Sequence, residues 1–248
     1  RRMMKECMPQ VDIILELLDA RIPYSSRNPE IEKLTDGKPR ITLLTKSTLA
    51  DPEQSKRWAR YYNSDNVRTV IIDSATGYGM DELSSAIKET LAAKIEKYHD
   101  KGMDGRRLKA MIVGIPNVGK SSLVNRLNGS KKAKVENRPG VTLNKQWVTT
   151  AYGIDLLDMP GVLWPKFDDP NVGMMLAYTG AVKEGILDIE ELACFLMELL
   201  WKRYPQAVTE RYGIEAEPDT PGYELLQLAG KKRGYLLARG EINTERMA

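Results

Sequence analysis

The chain has little of what metal and redox chemistry require. It holds one histidine, His99, and two cysteines, Cys7 and Cys194. No C-x-x-C pair occurs, and neither cysteine has a histidine beside it. A zinc site is therefore unsupported, and a reducing compartment is the simplest setting. Cys194 falls on an apolar helix face and reads as core. No uncharged apolar run approaches the roughly 18 residues of a membrane-spanning helix; Val11 to Leu18 is apolar but interrupted by Asp12 and Glu16. No signal-peptide pattern is visible, although the chain begins at Arg1 rather than methionine, which leaves room for a preceding segment. An excess of one charge is missing too. Lys and Arg number 37 against 34 Asp and Glu, a formal net charge of +3, which by itself does not imply nucleic acid. Internal repeats and low-complexity tracts are absent.

What is present is a globular composition: 248 residues, 42% hydrophobic, enough for a substantial core in one large domain or two smaller ones. The first 160 or so residues alternate β-like runs with helical patterns. Val11 to Leu18, Ile41 to Leu44, Val67 to Ile72 and Leu108 to Val113 read as strands. Gln146 to Tyr152 and Ile154 to Leu157 read as a hairpin turning at Gly153. Pro52 to Tyr62 reads as a helix with proline in its first turn. Met80, Leu83, Ile87, Leu91, Ile95 and Tyr98 mark one amphipathic helix, followed by a polar linker, His99 to Arg106. Alternation of this kind predicts an α/β fold with a mostly parallel sheet. From about Asn171 the β signal disappears. Asp188-Ile189-Glu190-Glu191 is a capping pattern opening a helix with an apolar stripe of Ile189, Leu192, Ala193, Leu196, Leu199 and Leu200. Further helices are expected over Ala207 to Tyr212 and Gly222 to Leu228. The expected division is therefore 1–170, an α/β domain, and 171–248, a small all-helical one.

Gly114-Ile115-Pro116-Asn117-Val118-Gly119-Lys120-Ser121 reads G-x-x-x-x-G-K-S, the phosphate-cradling loop of nucleoside-triphosphate proteins. It sits between an apolar strand and the helix beginning Ser122-Leu123-Val124, the context the motif needs. A glycine-bearing loop turns backbone N–H groups toward phosphate oxygens, and the helix N-terminus adds partial positive charge. Lys120 is then expected at the β- and γ-phosphates and the Ser121 hydroxyl on Mg²⁺. Asp158-Met159-Pro160-Gly161 fits D-x-x-G at a strand end. There Asp158 would hold Mg²⁺ through water, and the Gly161 N–H would face the γ-phosphate. Between these loops, Thr142 in Arg138-Pro139-Gly140-Val141-Thr142 is the candidate threonine that closes on Mg²⁺. The bland alternatives are a glycine turn, a Pro-Gly turn and a surface loop.

Guanine-nucleotide switches also carry N-K-x-D and S-A motifs that read the base. The candidates here, Thr45-Lys46-Ser47-Thr48 and Ser74-Ala75, precede the phosphate loop in the chain. Base motifs first and phosphate motifs second is the order of the circularly permuted GTPases. The whole chain resembles the YlqF/RbgA family of ribosome-assembly GTPases. The resemblance is carried by Asp19-Ala20-Arg21-Ile22-Pro23, Ser25-Ser26-Arg27-Asn28-Pro29, Gly114 to Ser122 and Asp158 to Gly161. Thr179-Gly180-Ala181-Val182-Lys183, Lys232-Arg233-Gly234 and Gly240-Glu241-Ile242-Asn243 extend it through the helical region. It implies a circularly permuted P-loop GTPase sheet followed by a small helical domain, with GTP or GDP and Mg²⁺ as ligands. The implied pocket takes Asn117, Val118, Gly119, Lys120, Ser121, Ser122 and Gly161 at the phosphates, and Thr45 to Thr48 with Ser74 and Ala75 at the base. Lys120, Thr142 and Gly161 are the candidates for a direct part in hydrolysis.

Two departures from the family pattern stand out. Thr45 replaces the usual Asn, and Thr48 replaces the Asp that accepts hydrogen bonds from guanine N1 and N2. A hydroxyl accepts without charge assistance, and losing a charge-assisted bond costs on the order of 1.5–3 kcal/mol. Lys46 remains to stack along the base, and Ser74 and Ala75 to offer a backbone N–H to guanine O6. Asp51 lies three residues too far along the chain to stand in reliably. Secondly, Val162 follows D-x-x-G, where many switches place a glutamine that orients water. The family is thought to use a histidine from an N-terminal segment, whereas His99 reads as a solvated loop residue. The chain thus either lacks that segment or hydrolyses slowly without it. Asn117 goes with K⁺ beside the phosphates in the family and its relatives; a turn-forming asparagine is the alternative.

The connector Trp164 to Pro170 runs from the second phosphate-sensing loop directly into the helical region, so nucleotide-dependent ordering is expected to reach that region. Lys231, Lys232, Arg233 and Arg239, with Tyr235 among them, and Lys131, Lys132, Lys134 and Arg138 form basic clusters suited to RNA phosphates. The expected function is a GTP-binding, GTP-hydrolysing switch that binds the large ribosomal subunit and its rRNA during assembly. It would act as a monomer without DNA or membrane, in the cytoplasm or an organelle matrix. A nucleotide-gated RNA-binding module with negligible hydrolysis is the alternative, and the motif order disfavours a metabolic phosphotransferase.

Overall fold

The computed structural model describes residues 2–35, 37–64, 66–129, 146–150, 153–164, 167, 169–182, 188–237 and 241–248. Two compact units emerge, Arg1–Ala181 and Val182–Ala248.

Among the described residues the first unit is built on six strands: β1 (Ile13–Asp19), β2 (Arg40–Thr45), β3 (Val67–Ile71), β4 (Leu108–Gly114), β5 (Gln146–Thr149) and β6 (Ile154–Asp158). They lie in the order β3-β2-β1-β4-β6-β5. Every neighbouring pair is parallel except β5 with β6, which turn back on each other through Gly153 at φ 75. All seven residues of β1 are buried, as a central strand covered on both faces requires. The unit also carries helices α1 (Arg2–Cys7), α2 (Pro23–Ser26), α3 (Pro29–Leu34), α4 (Pro52–Tyr62), α5 (Met80–Thr90), α6 (Ala92–Asp100), α7 (Lys120–Asn128) and α8 (Pro170–Tyr178). Cys7 lies in a core cluster with Met4, Val11, Ile14, Met111 and Leu157.

The single helix expected over Met80 to Tyr98 is two. Leu91 leaves helical geometry at φ −105, ψ 13, its N–H reaching back to the Glu89 and Ile87 carbonyls. Helix α6 then runs through His99, which is exposed on its last turn rather than in a linker. Helix α8, in sequence the first of the helical region, packs on α2 and so falls within the first unit.

Register decides where the site lies. Asp19 pairs with Thr45 across β1 and β2, Leu17 with Gly114 across β1 and β4, and Ile112 with Asp158 across β4 and β6. Thr45, Asp19, Gly114 and Asp158 therefore end their strands along one edge, the carboxyl edge of the parallel strands, where such sheets bind ligands.

The second unit contains α9 (Ile189–Arg203), α10 (Pro205–Tyr212), α11 (Gly222–Lys232) and α12 (Thr244–Met247). Its core is Met197, Trp201, Val208, Ile214, Leu225, Leu226 and Ala229. The buried stripe of α9 is rotated from the expected one: Met197 and Trp201 are buried, Ala193 and Cys194 are half-buried beside them, and Ile189 is exposed. The cause is a close approach at Gly222, where a Cβ would stand 2.0 Å from the Cys194 carbonyl oxygen; only glycine lets α11 lie that near α9.

Candidate functional site

Strand β4 delivers the phosphate loop. Gly114 takes φ 155, and its Cβ would meet the Leu17 carbonyl at 2.8 Å. Asn117 is left-handed at φ 56, and Gly119 at φ 105 opens α7 with no side-chain cap. The loop therefore turns back over the sheet edge, and the first-turn N–H groups of α7 have no capping side chain, the arrangement that receives an anion. Ser121 and Ser122 follow on that first turn, partly exposed.

Lys120 is buried, and its ammonium donates to the Ile115 carbonyl at 2.6 Å and the Gly114 carbonyl at 3.3 Å. Burial lowers its pKa to about 8, against a smaller opposing pull from Asp158. Asp158, at the end of β6, has its pKa raised by burial, partly offset by Lys120. Among the described residues, its Oδ1 is buried with no hydrogen-bond partner. An orphaned carboxylate oxygen costs free energy unless something fills its place, and a hydrated divalent cation at the phosphates would do so. The residues thus fit Mg²⁺, with Ser121 on the adjoining helix turn.

Gly161 lies directly against the phosphate loop. A Cβ there would sit 2.6 Å from Pro116 N and 2.8 Å from Lys120 Nζ. The next residue continues the contact: the Val162 N–H donates to the Gly114 carbonyl at 3.3 Å, and the Val162 carbonyl accepts from Asn28 Nδ2 at 3.0 Å. Val162 offers no polar side chain. Asn117 Nδ2 donates to the Gly180 carbonyl at 2.6 Å, tying the loop to the Thr179-Gly180-Ala181 turn.

The upstream loops meet this centre. Buried Thr45 donates its hydroxyl to the Val118 carbonyl at 2.6 Å, with the Leu18 carbonyl at 3.1 Å. Lys46, left-handed at φ 55, places its ammonium 3.1 Å from Asp19 Oδ2. Asp19 also holds Arg21 in a two-pronged pair at 2.9 and 2.7 Å. Burial raises the Asp19 pKa less than these cationic partners lower it, so its carboxyl lies below the usual range. Ser47 donates its N–H to the Ile72 carbonyl, and exposed Thr48 donates its hydroxyl to Asp73 Oδ2 at 2.5 Å. Asp73 Oδ1 accepts from the N–H groups of Ala75 and Thr76 at 2.8 and 3.1 Å. The two base loops are thereby joined to each other at Asp73 and to the phosphate loop at Thr45. Ser74 and Ala75 lie beside this joint, partly exposed and exposed respectively.

Sequence reasoning assigned no role to Asp19 or Asp73. The Asp-Ala-Arg string pointed to the first without its task. Nothing in the pattern marked the second, which precedes Ser74-Ala75 by one residue. Asp51 is spent as the cap of α4, accepting from the Gln54 N–H at 2.8 Å. Thr142 and the basic residues Lys131, Lys132, Lys134 and Arg138 lie outside the described residues, as do Lys183, Arg239 and Gly240. In the second unit, Lys231, Lys232 and Arg233 are exposed at the end of α11. The Arg246 guanidinium covers the Tyr235 ring at 4.7 Å.

A strand, phosphate loop and helix, a D-x-x-G loop against them, and base loops from strands earlier in the chain make this a P-loop GTPase domain in circularly permuted order. Residues 109–214 match the family model described as 50S ribosome-binding GTPase. The ribosome biogenesis GTPase A of Bacillus licheniformis is 45% identical over 246 residues, spanning 99% of this chain and 87% of that protein. That of Bacillus pumilus is 42% identical over the same spans. A GDP-bound structure of TM YlqF shares the fold at a TM-score of 0.64 and 22% identity, covering 100% of this chain and 90% of the other. The chain belongs to the ribosome biogenesis GTPase A family.

Proposed function

We propose that this GTPase binds GTP at the carboxyl edge of its sheet, hydrolyses it slowly on its own, and acts as a switch on the large ribosomal subunit during assembly. The observation that carries the reading is the convergence of the Thr45–Thr48 loop, the phosphate loop and Gly161 on one sheet edge. In this reading the N–H groups of Asn117 to Ser122 and the Lys120 ammonium hold the phosphates. For Lys120 this means leaving two backbone carbonyls for a charged partner, a gain for a buried cation. Mg²⁺, held by Ser121, Thr142 and water on Asp158, would neutralise charge between the β- and γ-phosphates. K⁺ is proposed at the amide oxygen of Asn117, whose nitrogen faces Gly180.

The Gly161 N–H reports the γ-phosphate, and because Gly161 rests on Pro116 and Lys120, movement at the phosphates reaches it directly. Val162 cannot orient water, so the group completing hydrolysis comes from outside the described residues or from the ribosome. We assign nucleotide binding to the first unit, which takes in α8 beyond the expected boundary at residue 170, and rRNA contact to the second, chiefly Lys231, Lys232 and Arg233. The protein would work as a monomer, without DNA, where ribosomes are assembled in the cytoplasm or an organelle matrix. Phosphate release measured with and without large ribosomal subunits tests this. Stimulation of about tenfold or more is expected; equal rates would leave a nucleotide-gated binding module instead.

A further inference from the structure

Thr48 stands where a base-reading loop of this kind carries a carboxylate, yet the structure does not leave the position without charge. Among the carboxylates described near this edge, Asp19 is consumed by Arg21 and Lys46, Asp51 by the cap of α4, and Asp158 lies at the phosphates. Asp73 remains, and its Oδ2 is 2.5 Å from the Thr48 hydroxyl. Asp73 itself is 3% exposed, whereas Thr48 is exposed. A base at this edge can therefore touch the hydroxyl but not the carboxylate behind it.

We propose that Thr48 reads the guanine N1–H and N2–H edge as a hydrogen-bond acceptor, and that Asp73 is the positioning residue that fixes the hydroxyl in that role and supplies its charge. The inference rests on the nucleotide site proposed above. A free threonine hydroxyl is ambivalent, because it can donate or accept. An ionised carboxylate only accepts, so the single hydroxyl proton is committed to Asp73 and the lone pairs face outward. That orientation welcomes guanine N1–H and opposes adenine, whose N1 is an acceptor and whose C2 carries no polar hydrogen. A hydroxyl that donates to an anion is polarised, which strengthens what its oxygen accepts. Asp73 remains anionic: burial would raise its pKa, but the Thr48 hydroxyl and the N–H groups of Thr76, Ala75 and Thr48 hold it below the usual range. The charge missing from position 48 is thus supplied one bond further back.

The test is a competition titration of GDP, IDP, XDP and ADP against a labelled guanine nucleotide, on the full chain and its variants. The unmodified chain is expected to prefer GDP and IDP over ADP. Thr48→Val, a change at an exposed position that leaves the Asp73 cap of Ala75 and Thr76 in place, should weaken GDP about tenfold and ADP little. Thr48→Ser should recover most of that loss. Asp73→Asn keeps an oxygen for Ala75 and Thr76 but turns its amide toward Thr48. The hydroxyl proton is then released outward, and the GDP-to-ADP ratio should fall about tenfold or more. A ratio unchanged in Thr48→Val, or in a folded Asp73→Asn, overturns the relay alone. If Asp73→Asn does not fold, the Val and Ser pair still decides. Failure of the unmodified chain to bind any of the four nucleotides overturns the nucleotide site and the relay together.

Discussion

The Thr45 hydroxyl donates to the Val118 carbonyl at 2.6 Å, a bond between positions 73 residues apart that fastens the base-side loop to the phosphate loop. It is the physical joint of a pocket assembled from two distant stretches of chain. Thr45 is 2% exposed, so water cannot replace it. Thr45→Val keeps the shape and deletes the hydroxyl, leaving a buried carbonyl facing a methyl group. The expected cost is about 1–3 kcal/mol of stability, with weaker guanine-nucleotide binding as the two loops uncouple. Thermal unfolding and a GDP titration check both effects, and Thr45→Ser, which restores the donor, should reverse them. Equal stability and affinity in the Val variant would show that the loops are held together by other contacts.

Gly161 gives a second prediction. Its Cα faces the Pro116 backbone, and a Cβ would stand 2.6 Å from Pro116 N and 2.7 Å from Pro116 Cα. Backbone atoms in a loop this constrained cannot retreat as a flexible side chain would. Gly161→Ala must therefore push the D-x-x-G loop off the phosphate loop. In the proposed site GDP is held by the phosphate loop and the base-side loops, so its affinity should fall severalfold at most. Hydrolysis of GTP, proposed above to use the Gly161 N–H at the γ-phosphate, should fall by about tenfold or more. Steady-state hydrolysis set against a GDP titration separates the two. An equal loss in both would mean that Gly161 serves the fold of the pocket rather than the third phosphate.

The parts legible in the sequence were those with local causes. Strand β4, the phosphate loop and α7 follow from an apolar run, left-handed glycine positions and an uncapped helix start, all within about 20 residues of chain. The permuted order was legible because short motifs kept their identities while changing places. Asp73 was not, because its importance comes from a partner 25 residues away and from burial, neither of which leaves a local pattern. The same holds for Asp19, whose grip on Lys46 depends on β1 lying beside β2. The break at Leu91 escaped notice because the apolar spacing runs through it. The rotated face of α9 depended on Gly222, an approach between helices that periodicity within one helix cannot show.

Lys120 supplies a prediction in pH. Burial brings its pKa to about 8 from the ordinary lysine value of 10.5. Below about pH 8 the folded and unfolded chains both carry this proton, and the folded state bears the full cost of burying the charge. Between about 8 and 10.5 the unfolded chain keeps the proton while the folded one loses it, so stability of the ligand-free protein should rise with pH across that window. Nucleotide phosphates reverse the balance, because an anion beside the ammonium favours its charged form. Binding above about pH 8 must therefore take up a proton, and affinity should fall as pH climbs, by up to about tenfold per unit. The diphosphate of GDP is already fully ionised there, and the uptake owed to the guanine N1–H, which begins to ionise in the same range, is subtracted using the titration of the free nucleotide. Calorimetric titration with GDP at pH 7 and pH 9, each in two buffers of different ionisation enthalpy, measures the linked proton directly. The expected result is an uptake approaching one proton at pH 9 and near none at pH 7. No uptake at pH 9 would mean that the phosphates do not meet the Lys120 ammonium.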